Sequence, residues 1–418
     1  MVIMFKKITT SFYTALFLNL FCIYSFATTL HNELSFADIL GMVREDNIEI
    51  QLRDLQVDEQ KGQLRQESLW WNPDFTMTFE NFDNDRLEKT FMVSQEIEYV
   101  GKRYLKKQNA KIDVKLANNS FSEKEREVLA ESSDLYAEII VAQKRVALAQ
   151  KRVVVFKGMI EASQKRVLAG KSSKIEQIRI QSFLAYHKIN VLQTIQELRN
   201  KQRELEALWN HQHIHFKKVI GDLEQLPVLK TQESLEKLFV KNPNYQKYLM
   251  QMDQYKNRLS YAQRQWWPNL SLDLGVRDFN ETDERAYLAG ISFSLPIFDR
   301  NQGGIQSAKA AYKSQQLLMN YMKTQMDVSF HEQYESLSVL DQKIDILKKE
   351  VLPLSQESLA LAEKAYAQGR FSYLELMAIE KNYFDRQEEF WKESLEYIQK
   401  YNALQIFLGQ TPHLYASV

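Results

Sequence analysis

The tract Trp266-Trp267-Pro268-Asn269-Leu270-Ser271-Leu272-Asp273-Leu274-Gly275-Val276-Arg277 decides how this chain is read. From Leu270 onward, apolar side chains alternate with small or polar ones, the period of a strand with one apolar face. A second run follows the polar loop Asn280-Glu281-Thr282-Asp283-Glu284. In it Tyr287, Ala289, Ile291, Phe293 and Leu295 alternate with Leu288, Gly290, Ser292 and Ser294. The same composition occurs earlier in the chain. Leu69-Trp70-Trp71-Asn72-Pro73-Asp74-Phe75 matches the Trp-Trp tract, and Phe75, Met77 and Phe79 alternate with Thr76, Thr78 and Glu80. After the loop Asp83-Asn84-Asp85-Arg86, Phe91, Val93, Ile97 and Tyr99 alternate with Met92, Ser94, Glu96 and Glu98. Strands are therefore expected at about 73–82, 89–99, 268–279 and 285–297, each about the length that a tilted strand needs to cross a bilayer. Trp70, Trp71, Trp266 and Trp267 at the strand entrances, with Tyr99, fit an interfacial aromatic girdle.

Around these hairpins the period changes to 3.5. No Gly or Pro occurs between Lys102 and Lys157, and only Pro353 between Ile305 and Gln368. Leu135, Ile139, Ala142, Val146, Ala149, Val153, Phe156 and Ile160 form one seam; Leu340, Ile344, Leu347, Val351, Leu354, Leu361 and Ala365 form another. Such spacing predicts supercoiled helix packing. A helix of roughly 60 residues is about 90 Å long, wider than an ordinary globular domain. Each column ends at a turn. Gly170 and Gly369 suit the left-handed residue that closes a helix, and Ser172 or Ser173 and Ser372 suit the cap of the next. Gln108-Asn109-Ala110-Lys111 matches Gln306-Ser307-Ala308-Lys309, and Asp46-Asn47-Ile48 matches Lys241-Asn242-Pro243. The chain reads as one unit written twice, over 28–228 and 229–418.

Composition supports columns over globules. Among 418 residues there are only 12 Gly and 7 Pro, with 44% hydrophobic and 26% charged residues, too few turns for a compact α/β enzyme. Lys+Arg and Asp+Glu are equal at 54 each, which gives no reason to expect nucleic acid. Lys6 and Lys7, an apolar stretch from Ile8 to Ile23 and Ser25-Phe26-Ala27 read as a secretory signal peptide over 1–27. The single cysteine, Cys22, would leave with it, so no disulfide or thiolate metal site is expected. Four strands cannot close a barrel alone, and an open edge in lipid leaves backbone groups unpaired. Two chains would give a barrel packed solid, three a twelve-stranded barrel with an aqueous pore. The expected fold is thus mainly α with a transmembrane β portion, its strands joined with those of two other copies in a trimeric twelve-stranded β-barrel.

With these features in place the sequence resembles the TolC family of outer-membrane efflux channels. Leu295-Pro296-Ile297-Phe298-Asp299-Arg300-Asn301-Gln302-Gly303-Gly304 is similar to the strand-to-helix junction of its CzcC-like branch, which serves metal-cation efflux; Gln95-Glu96-Ile97-Glu98-Tyr99-Val100-Gly101-Lys102-Arg103 holds the same place in the first half. Ile48 departs from the Pro that the family often has after Asn. The resemblance implies a homotrimer in outer-membrane lipid of a Gram-negative bacterium, its 12-stranded β-barrel continuing into a long periplasmic α-helical barrel that holds most of the chain. It also implies a periplasmic adaptor (membrane fusion) protein and an inner-membrane pump of the RND type. Type I secretion or multidrug export are alternative uses of such a duct, and a periplasmic coiled-coil protein without a pore is the alternative outside the family.

The resemblance puts adaptor docking and gating at the tunnel tip, on Gly170, Lys171, Ser172, Ser173, Gly369, Arg370, Phe371 and Ser372. Lys171 and Arg370 would converge from three chains, with Glu176 and Glu375 as gate partners. His211, His213 and His215 alternate and would share a face on a strand, but have no acidic or cysteine companion and read as surface histidines. Asp299 is expected to cap the helix after it. No phosphate loop, Ser/His/Asp set or HExxH motif occurs, so neither enzyme activity nor a cofactor is expected.

Overall fold

The computed structural model describes residues 31–82, 86–99, 101–210 and 216–411. The signal-peptide reading over 1–27, the histidine triplet at 211–215 and the loop at 83–85 lie outside them. The elements run β1 (His31–Leu34), α1 (Phe36–Asp46), α2 (Ile48–Glu67), β2 (Asp74–Glu80), β3 (Glu88–Ile97), α3 (Lys102–Leu168) and α4 (Lys174–Ala207). They continue as β4 (Phe216–Val219), α5 (Gln232–Glu236), α6 (Pro243–Arg264), β5 (Leu270–Phe279), β6 (Glu284–Phe293), α7 (Gln302–Ile346), α8 (Leu352–Ala367) and α9 (Tyr373–Phe407). Helix α3 alone has 67 residues, about 100 Å at 1.5 Å per residue.

One antiparallel sheet holds four strands in the order β2-β3-β5-β6, so both hairpins join edge to edge through β3 and β5. A second, parallel pair joins β1 to β4, with Glu33 beside Lys218. Helix α3 is the spine: α2, α4, α6 and α9 pack on it, and α7 lies against α6 and α9. The middle of the column is a core in which Ile39 and Val43 of α1 meet Ile139 and Ile140 of α3, Leu205, Trp209, Leu337 of α7 and Leu404 of α9. A second core near the glycine turns gathers Phe156, Met159, Ile180, Leu359, Tyr366, Leu376 and Phe384.

Two asparagines tie helix beginnings to helix ends. Asn47 accepts from the amides of Glu49 and Ile50 at 2.9 and 3.2 Å, capping α2, and donates to the Leu208 carbonyl at 2.8 Å. Asn242 accepts from the Tyr245 amide at 2.9 Å, capping α6, and donates to the Phe407 carbonyl at 2.6 Å. Each amide side chain satisfies orphan groups of two helices at once, which explains why both are buried without penalty.

The second seam departs from expectation. Leu340, Ile344 and Leu347 are buried, but Leu354 and Leu361 stand exposed, and Leu359, Ala362 and Tyr366 occupy the core instead. Between α7 and α8 the backbone widens into a π turn, Leu347–Val351, where the Leu352 amide reaches back to the Leu347 carbonyl. Pro353 follows directly; it has no amide hydrogen, and its ring would crowd the carbonyl four residues earlier. The wider turn takes in one extra residue and rotates the face that follows. Asp299 is also corrected: it accepts from the Asn301 amide at 2.8 Å, and Asn301, at φ +56°, is the residue that opens α7. It forms a local turn before the helix instead of a cap.

Half-buried Asp134 in α3 accepts from Asn402 at 2.7 Å, and its removal from water pushes its carboxyl from 3.8 up to about 6. The folded chain holds a proton that the unfolded chain releases between about pH 4 and 6, so stability falls as pH rises through that window and stays lower above it. Asp134→Asn keeps an acceptor for Asn402. It is expected to raise the thermal midpoint by a few degrees near pH 7, with the gain vanishing below about pH 4; a midpoint unmoved at both pH values would contradict this.

Candidate functional site: a two-faced sheet and a paired helical tip

Pairing register sorts the sheet into two faces. Phe75, Val93, Leu274 and Ala289 stand opposite one another across the four strands, as do Met77, Phe91, Val276 and Tyr287. Leu272 and Ile291 continue the same face. Phe75, Leu274, Tyr287 and Ile291 are each more than 60% exposed, a contiguous apolar surface that no element among the described residues covers. The opposite face carries Asp74, Ser94 and Asp273 in one row and Thr78, Thr90 and Arg277 in another. Arg277 donates to Thr90 at 3.0 Å and pairs with Glu88 and Glu80 at 3.5 and 3.8 Å. One face suits hydrocarbon and the other suits water. Among the described residues no helix is long and apolar enough to cross a membrane.

Where strands become helices, cations hold the tryptophans. The Arg103 guanidinium lies 4.3 Å over the Trp70 ring and donates to the Ser68 carbonyl. Lys106 sits 5.4 Å over Trp71 and pairs with Glu98. Buried Lys102 donates to the Trp267 carbonyl and, at 2.9 Å, to Asn269, whose amide donates to Glu96 at 2.8 Å. Tyr99 meets Trp267 edge-on at 6.2 Å, and Trp266 lies 4.6 Å from Trp267. The aromatics are thus one collar spanning both hairpins, fastened by the first turn of α3.

The two distal turns share one geometry. Gly170 (φ +69°) donates to Val167 at 3.0 Å and Lys171 to Arg166 at 2.8 Å; Gly369 (φ +76°) donates to Tyr366 and Arg370 to Ala365, both at 2.9 Å. Both are Schellman closures, which need a residue free to adopt positive φ. Ser173 and Ser372 then cap α4 and α9, accepting from Glu176 and Glu375 amides at 3.2 and 3.3 Å. Here the two turns diverge. The Glu375 carboxylate accepts from the Ser372 hydroxyl and amide at 2.6 and 2.9 Å, which holds it below the usual carboxylate range. Glu176 instead accepts from the Tyr366 hydroxyl at 2.7 Å, across to α8. Burial, with Glu176 beside it, pushes that phenol up to about 12, so it stays a donor at neutral pH.

Arg166 completes the tie: its guanidinium stacks 4.5 Å over Tyr366 and donates to the Tyr366 and Phe371 carbonyls at 3.3 and 3.4 Å. Neither glutamate pairs with Lys171 or Arg370 within the chain; among the described residues both cations make no ion pair and stand exposed. Above the turns, Arg152 of α3 makes a two-pronged pair with fully buried Glu380 of α9 at 2.6 and 3.0 Å. His187, packed 4.5 Å from Phe156, is lowered to about 4 by burial and by Arg152, hence neutral.

The sequence matches the family described as outer membrane efflux protein over residues 235–410. It is 24% identical over 354 residues to the cobalt-zinc-cadmium resistance protein CzcC of Cupriavidus metallidurans, covering 84% of each chain. The second half of the chain is thus similar to that family, and most of the chain to CzcC. Nickel-cobalt-cadmium resistance protein NccC of Alcaligenes xylosoxydans xylosoxydans is 22% identical over 57% of this chain and 55% of that one. Among solved structures, CusC superposes with a TM-score of 0.75 at 13% identity, covering 92% of this chain and 96% of that chain. The open-state MtrE channel of Neisseria gonorrhoeae gives 0.73 at 14%, covering 90% and 89%. These likenesses establish the shared fold.

The sequence reading missed Lys102, Arg103, Lys106 and Arg166, the cations that position the aromatics and join the turns. Basic residues one turn or less beyond an aromatic-rich strand are the available signal for the first three. Arg166 offers none, because its partners lie 200 and 205 positions away. Removing it tests the tie. Arg166→Ala is expected to speed amide exchange about tenfold in both turns, from Gly170 to Glu176 and from Gly369 to Glu375, and to leave the sheet unchanged; acceleration confined to the first turn would show the two turns to be independent.

Proposed function

We propose that this protein is an outer membrane efflux protein, the outer-membrane duct of a tripartite efflux system. Three copies would bring twelve strands into one barrel, apolar faces toward lipid and polar faces toward water, in the outer membrane of a Gram-negative bacterium. Their helices would continue into a periplasmic tunnel. The observation that carries this reading is the sheet itself: its apolar face is bare, and both edge strands, β2 and β6, present unpaired backbone groups. In lipid each such group costs several kcal/mol, so the edges must meet other copies. The chain would be two related halves, 28–228 and 229–418, following a signal peptide over 1–27. Asn47 and Asn242, and the two Schellman turns, support this by doing the same work in each half.

The duct has no energy source of its own and would be driven by an RND-type inner-membrane pump through a periplasmic adaptor that docks on the tip residues Gly170 to Ser173 and Gly369 to Ser372. Relatives named for cobalt, zinc, cadmium and nickel resistance support divalent metal cations as cargo. Since the tip glutamates are engaged within their own chain, Lys171 and Arg370 are the groups left to hold neighbouring chains at the entrance. Arg370→Ala is expected to raise ion leakage through reconstituted channels; unchanged conductance removes the lock. The assembly predicts outer-membrane fractionation and a heat-sensitive trimer. Deleting the gene should sensitise cells to zinc, cobalt or cadmium, and unaltered tolerance of all three would remove metals as the cargo.

A further inference from the structure

The π turn has a second consequence, on the outside of the column. Val339, Ile346, Leu354 and Leu361 are all exposed, at steps of seven, eight and seven residues. The eight-residue step spans Leu347–Val351, so the extra residue of the π turn keeps one apolar stripe in line along α7 and α8. Helix α4 carries another stripe, with Ile178, Ile189 and Leu192 exposed. Within the chain α4 packs on α3, α3 on α9 and α9 on α8, so α4 and α8 stand at the two edges of the helical row, and near the tip Tyr366 of α8 reaches Glu176 of α4.

The stripes also match in depth, measured from the two glycine turns. Leu361 lies eight residues before Gly369 and Ile178 eight after Gly170; Ile346 lies 23 before and Leu192 22 after. Charge matches as well: Glu350, 19 residues before Gly369, stands level with Lys188, 18 after Gly170, and both are exposed. The helices run in opposite directions from the tip, so equal counts mean equal height at 1.5 Å per residue.

We infer that the α7–α8 stripe of one copy seats on the α4 stripe of the next, with Leu361 against Ile178, Ile346 against Leu192 and Glu350 beside Lys188. This rests on the trimeric reading and names the seam that closes its helical part. Each apolar contact would bury side chains that the isolated chain leaves in water. The π turn, in this reading, holds the inner core and the outer seam in phase on one helix interrupted by Pro353.

Cysteine pairs in the full chain test the seam. Leu361→Cys with Ile178→Cys is expected to give reductant-sensitive dimer and trimer bands after boiling. Leu361→Cys with Leu192→Cys, about 20 Å apart in height, exceeds the reach of a disulfide and is expected to give none. Single-cysteine variants serve as background, and the unboiled trimer band shows that each variant assembles. A trimer without the matched cross-link, or one in which both pairs cross-link equally, overturns the seam and leaves the trimeric reading standing. Absence of any oligomer in the unsubstituted chain removes both. As a second arm, Lys188→Glu is expected to lower the temperature at which the trimer band is lost, and adding Glu350→Lys to restore it; loss without restoration counts against the pairing.

Discussion

A backbone amide or carbonyl in hydrocarbon has no water to fall back on, and in the proposed membrane reading this constraint organises the molecule. The four-stranded sheet pairs its inner strands fully and leaves β2 and β6 open, while one of its faces is apolar through its middle rows and becomes charged at the loop end, where Lys89, Asp278 and Arg285 line up. As a soluble fragment such a sheet would be an aggregation template. Set in a bilayer beside identical copies, as proposed, it would have a use for each of these features: the apolar face would meet lipid, the edges would meet edges, and the Asp74, Asp273 and Arg277 rows would face water.

The rest of the chain holds that sheet in place and extends it. Lys102, Arg103 and Lys106 lock the aromatic collar to the first turn of α3, so the orientation of a helix about 100 Å long follows from contacts at its base. Asn47 and Asn242 join helix starts to helix ends at mid-column. At the far end Arg166, Tyr366 and Glu176 join the two turns into one body, which leaves Lys171 and Arg370 as outward-facing charges. The proposed docking surface is therefore presented on a rigid frame, with rigidity supplied by buried polar ties more than by the turns themselves.

Strand alternation was legible in the sequence because side chains on a pleated strand have a strict period of two, and Leu270 to Val276 keep it without interruption. The glycine turns were legible because few residues accept positive φ and because Ser173 and Ser372 follow at capping distance. The outer half of the second seam was misread. A heptad count assumes uniform α geometry, and the π turn before Pro353 breaks that assumption. The parallel pairing of β1 with β4 left no local trace, since strands of four residues carry too little pattern and their partners are far apart in sequence. Roles of the tip charges were harder still: Glu176 and Glu375 occupy equivalent positions, yet only the structure distinguishes the one turned to Tyr366 from the one folded back on Ser372.

Lipid and water accessibility on neighbouring sheet positions tests the central claim most directly. Nitroxide labels placed singly at Val93, Leu274, Ser94 and Asp273 in the reconstituted protein should alternate. Val93 and Leu274 should be relaxed by dissolved oxygen, and Ser94 and Asp273 by a water-soluble nickel complex. If all four report water alike, the sheet does not lie in a membrane and no duct can be built from it.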